Sequence, residues 1–166
     1  MRGAVTGGTR RVYVRGAEGA LGTRVLSRLE AVPGLEVATQ PDAAGWNTIV
    51  ELGAGDHDAR ARRRESVTAG AAQLVADAET FGADHVVLVS SAMVYGAVGN
   101  NPVPLTESAV LRPDPEFVFA RQLASAEELV EEWRVADDGR VASVLRPVVA
   151  MAADGTSSLA RALAAG

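Results

Sequence analysis

Three short stretches carry side chains spaced for chemistry. The first, Gly16-Ala17-Glu18-Gly19-Ala20-Leu21-Gly22, places glycines at intervals of three. Glycine allows a tight turn and a close approach of backbone to a pyrophosphate, whose charge then meets the exposed N–H groups of a helix start. Gly16, Glu18, Gly19, Ala20, Leu21 and Gly22 are therefore candidate cofactor contacts. The same spacing also serves as plain turn punctuation, and Glu18 would repel a phosphate if its carboxylate pointed inward. The second stretch is VVLVSSAMVYG, with Ser90 and Ser91 closing an apolar run and Tyr95 four residues beyond Ser91. Hydroxyls there can serve chemistry or simply satisfy hydrogen bonds at a strand end. The third is Asp56-His57-Asp58, whose residue types bind metals but whose adjacency on a loop rarely lets them converge on one ion. We read it as solvated loop and expect no metal site.

What is missing narrows the chemistry further. The 166 residues include no cysteine, which removes disulfides, thiolate nucleophiles and thiolate metal sites together. All 16 basic residues are arginine, so no lysine is available anywhere, and His57 and His85 are the only imidazoles. A net charge of -5 with 4% aromatic residues lacks the positive footprint and stacking side chains of a nucleic-acid binder. The run Ala59-Arg60-Ala61-Arg62-Arg63-Arg64-Glu65, flanked by acids, reads as a solvated helix entrance. No window is apolar enough to span a membrane, and the opening MRGAVTGGTRR has no apolar region behind its arginines, so a cytoplasmic protein is expected.

The elements that must position these groups follow from periodicity. RVYVR predicts a strand, the glycine turn follows, and Leu21, Val25 and Leu29 carry a helical period. PGLEVATQ and WNTIVELGAG supply two further strands, and ESVTAGAAQLVADAETFG a helix ending at Gly82. ADHVVLVSSAMVYG reads as a strand buried on both faces, FVFARQLASAEELVEEW as a helix, and RVASVLRPVVA as the last strand. Strands alternating with helices predict an α/β fold with a parallel, doubly wound sheet. A flexible leader over residues 1–10 and one Rossmann-like domain over 11–166 are expected.

In this order the motifs GxxGxxG, SSAMVYG, PLTE, an Ala-Glu-containing helix and LRP resemble the extended short-chain dehydrogenase/reductase family, the NAD-dependent epimerases and dehydratases of nucleotide sugars. The resemblance runs from about Arg11 to the last residue. It implies that the glycines and Ser90 hold NAD or NADP and that Ser91 matches the serine that hydrogen-bonds the reacting oxygen. It also puts the family's proton-transferring tyrosine on Phe119 and its lysine on Leu123. A free tyrosine titrates near pH 10, and a neighbouring ammonium makes it usable near neutrality. Phenylalanine has no proton to give, and no lysine elsewhere can replace the missing one.

The chain departs from that family twice more. Only seven residues separate Gln40 from Thr48, where a parallel crossover usually needs a dozen or more. The sheet should lack one edge strand and its covering helix, leaving Gln40 or Asp42 as the only candidates for the ribose-binding acid after the second strand. At the other end, SSLARALAAG resembles the helix before the substrate lobe, so the chain is either a piece of a longer protein or has discarded that lobe. The expected function is a non-catalytic NAD(P)-binding-type domain, a nucleotide sensor or structural subunit with a protein partner or a second copy. Two alternatives stand beside it. One is an atypical but active NAD(P)-dependent oxidoreductase, epimerase or lyase on a nucleotide sugar, using Ser91, Tyr95 or Glu116 and completed by another chain. The other is an interaction scaffold with no cofactor.

Overall fold

The computed structural model describes residues 9–18, 20–41, 44–53 and 66–148. Its core is a five-stranded, all-parallel sheet in the order β2-β1-β3-β4-β5. The strands are β1 Arg10–Arg15, β2 Leu35–Ala38, β3 Thr48–Glu51, β4 His85–Val89 and β5 Val141–Leu145. The helices are α1 Ala20–Glu30, α2 Ser66–Phe81 and α3 Val118–Val135. Each lies in a segment where its sequence period predicts it. Among the described residues no helix is long and apolar enough to cross a membrane.

Alternation along β1 sorts the two faces. Val12 and Val14 point to the face covered by α1, where they join Val50, Leu52 and Val89 beneath Val25, Leu26 and Leu29. Tyr13 points to the other face, toward α2 and α3. That second face holds the larger core. There α2 contributes Ala71, Leu74 and Ala78, and α3 contributes Phe119, Leu123, Ala126, Val130 and Trp133, all against Ile49, Val86 and Leu88. The α3 positions advance by four and three in turn, which is the apolar stripe of a helix packed along one side. Gly82, with φ +71°, ends α2 in the left-handed conformation common at helix C-termini.

The short link between β2 and β3 crosses β1. Its described residues are pinned by polar contacts. Asn47 N–H donates to the Arg11 carbonyl at 3.0 Å, and Arg11 N–H donates back to Asn47 Oδ1 at 2.8 Å. Gly45 N–H reaches the Phe81 carbonyl at 2.8 Å. Trp46 anchors the link: it is 2% exposed, its ring lies 6.3 Å from that of Tyr13, and the Arg11 guanidinium sits 4.2 Å over it. Arg11 is held there by Glu36 of β2 at 3.0 Å and by the Ala44 carbonyl at 3.2 Å. Trp46→Ala should therefore lower unfolding stability by about 3 to 5 kcal/mol, measured by urea denaturation, whereas Trp46→Phe should cost less.

Candidate functional site

The order of the sheet reverses at β1, between β2 on one side and β3 on the other. In an open α/β sheet, ligands sit in the crevice outside the carboxyl ends of the strands at such a point. The glycine turn lies there, at the end of β1. Gly16 has φ +66°, and a Cβ on it would fall 2.5 Å from the backbone nitrogen of Gly53, in the loop after β3. A Cβ on Gly22 would overlap the backbone of Ala17. Both positions thus require glycine for close backbone packing, which fits the seat read from the spacing. Glu18 is exposed, and so is Leu21, which faces a groove beside α1. Gln40 is exposed in a bend after β2. Gly19, Asp42, the Ala20 side chain and the Asp56-His57-Asp58 stretch lie outside what the structure describes. Among the described residues no group of three metal-binding side chains converges.

The serine strand runs into the same crevice and divides its hydroxyls. Ser90 is 2% exposed and donates to Glu127 Oε1 of α3 at 2.5 Å. Its hydroxyl is thus spent inside the protein. Ser91 caps a 3-10 turn, Ala92–Tyr95, by accepting the Met93 N–H at 3.3 Å. It lines a cavity of about 330 Å³ with Met93, Gly96, Asp114, Phe117 and Val148. Tyr95 is turned elsewhere. Its hydroxyl accepts from Arg146 Nη1 at 2.7 Å, and the side chain lines an adjoining groove of about 1270 Å³, which shares Ala92 and Val148 with the Ser91 cavity and extends along the α1 face of the sheet. The two catalytic candidates are therefore not brought into one cavity.

A buried carboxylate organises this end of the sheet. Glu127 is 5% exposed and accepts from two Arg146 nitrogens, Nε at 3.1 Å to each carboxylate oxygen and Nη2 at 2.7 Å to Oε2, besides the Ser90 hydroxyl. Hydrogen bonding to Glu127 raises the Arg146 pKa further above its ordinary value. Arg146 also donates to the Glu107 carbonyl at 3.0 Å and lies 5.2 Å over the Tyr95 ring. Four segments are joined through one ion pair. Sequence reading passed over this network, although a glutamate on the buried stripe of α3 was the available signal.

Phe119 and Leu123, the positions implied for the proton-transfer pair, are 1% and 0% exposed and belong to the core between α2, α3 and the sheet. Neither lines the Ser91 cavity, where Phe117 appears instead, its ring 6.2 Å from that of Phe119. Among the described residues, the ionisable side chain lining that cavity is Asp114, whose carboxylate accepts the Glu116 N–H at 2.9 Å. Glu116 itself is exposed.

The family model for the NAD dependent epimerase/dehydratase family matches residues 40–165, a span that starts after the glycine turn and contains the serine strand, α3 and Arg146. The chain belongs to that family. No curated protein matches it. Among solved structures it is similar to RMD from Pseudomonas aeruginosa complexed with NADPH, at a TM-score of 0.68 and 21% identity over 86% of this chain and 54% of that one. It is also similar to TunA, an NAD dependent NDP-hexosamine 5,6-dehydratase involved in tunicamycin biosynthesis, at 0.64 and 17% over 82% and 54%. A third is a UDP-galactose 4-epimerase, at 0.63 and 17% over 82% and 55%. The chain spans about half the length of these structures. They confirm the Rossmann-type fold expected of it.

Two titrations follow from this geometry. Removing Glu127 strands a partly buried guanidinium, so Glu127→Ala should cost about 3 kcal/mol in denaturant unfolding. His85 lies between Ser143 Oγ at 3.0 Å and Thr48 Oγ1 at 3.4 Å, and its pKa is lowered from 6.5 by burial, then by Arg10, with Asp84 opposing. The unfolded chain therefore takes up the proton first as pH falls, and the stability present above pH 6.5 is lost on acidification through that value. Comparing denaturation midpoints at pH 7.5 and 5.5, wild type should lose more stability than His85→Asn.

Proposed function

We propose that this domain binds NAD or NADP without turning it over, as a nucleotide sensor or as the structural subunit of a larger assembly in the cytoplasm. The observation that carries the non-catalytic half is the place of Phe119 and Leu123 inside the core, with no ionisable side chain of α3 lining the Ser91 cavity. The binding half is supported by the glycine turn at the reversal of the sheet and by membership of a family described as NAD dependent. Solved neighbours include complexes with NADPH and with NAD. A protein partner or a second copy belongs to this reading, and the structural-subunit form requires one. Exposed Glu18 at the turn favours the scaffold without cofactor as the second reading.

Isothermal titration of the purified chain with NAD(H) and NADP(H) decides between them, with Gly19→Asp as the control. Saturable binding that disappears in the control, with no hydride transfer to nucleotide sugars, is the expected result. An absence of heat up to millimolar cofactor would leave the scaffold, and steady turnover would overturn the non-catalytic reading.

A further inference from the structure

We propose that Arg15 and Glu51 are positioning residues for the nucleotide crevice, which tie the phosphate turn to α2; this rests on the nucleotide-binding reading above. Glu51 is the last residue of β3, with its side chain 7% exposed on the α2 face of the sheet. Buried there, its carboxylate needs partners. It accepts the Gly53 N–H on Oε1 at 2.7 Å and the Arg15 Nε on Oε2 at 3.0 Å. Arg15 reaches on to Asp77 of α2 at 2.5 Å, and Asp77 is itself held by Gln73 Nε2 at 2.8 Å. Burial still raises the Glu51 pKa, against the lowering by the Gly53 N–H and by Arg15.

A buried ion pair is weak ground for stability, because desolvation offsets much of its attraction. This one joins the two loops of the crevice instead. Arg15 immediately precedes Gly16, and Gly53 follows Glu51 by two residues. Gly16 packs so closely on Gly53 that there is no room for a Cβ between them. Any displacement of Gly53 is thereby passed to the phosphate turn, and binding sites tolerate only about 0.5 Å of such movement. A continuous set of contacts runs from α2 through Asp77, Arg15 and Glu51 to the Gly53 N–H. The position of α2 sets the seat.

The test is the dissociation constant for NADH, measured with the melting temperature of each variant. Glu51→Leu leaves the Gly53 N–H without its acceptor and should weaken NADH by about tenfold, the equivalent of one lost buried hydrogen bond. Glu51→Gln keeps an oxygen at Oε1 and should restore most of that affinity. Asp77→Asn leaves the Glu51–Gly53 contact intact and should still weaken binding measurably, which keeps the test available if Glu51→Leu fails to fold. Lower melting temperatures with unchanged NADH affinity would mean a purely structural cluster and overturn the proposal. Failure of the wild type to bind NADH or NADPH would instead remove the nucleotide-binding reading, and the proposal with it.

Discussion

The rest of the structure depends on the shortness of one link. After β2 the chain must return, pass β1 and begin β3 in parallel register, with no room for a helix on the way. At about 3.3 to 3.6 Å per residue an extended segment can only just make that journey. The crossing therefore needs anchors, and Arg11, Asn47 and Trp46 supply them. Fixing the link fixes β3 beside β1, which in turn creates the reversal where the glycine turn and the Gly53 loop meet. The crevice lies where β1, flanked by β2 and β3, carries the reversal of strand order.

The link across β1 and the stripe of α3 place different demands on their side chains. The link needs a buried anchor of its own, and Trp46, with Arg11 over its ring, is that residue. The stripe needs none, since Phe119 and Leu123 belong to it at the spacing of its other apolar residues. Glu127 shows what such a stripe will not absorb. A carboxylate at that depth persists only with Arg146 and Ser90 around it.

Much of the fold was legible because it is periodic. Alternation in Val12, Tyr13 and Val14, the stripe of α3, and glycine at positions 16 and 82 each specify a local outcome that tertiary packing then used. The site was less legible, because its geometry depends on which way a side chain turns at the end of a strand. Ser90 and Ser91 are neighbours in sequence, yet one hydroxyl is bound to Glu127 and the other lines a cavity. Tyr95 reads as a residue of the serine turn, but Arg146, remote in sequence, holds its hydroxyl. Glu51 sat unnoticed in an apolar strand, because nothing local indicates that Arg15 and Asp77 will come to meet it.

The chain has two tryptophans, and the fold gives each a distinct address. Trp46 lies in the link across β1, 2% exposed with Arg11 over its ring, while Trp133 lies near the end of α3, 4% exposed with Arg140 at 4.9 Å. Near-ultraviolet excitation thus illuminates two separate places. One emission reports the crossing between β2 and β3, with Tyr13 close enough to pass energy to it, and the other reports the buried stripe of α3. Replacing either indole alone by phenylalanine would turn the remaining one into a single-site optical probe of its own segment.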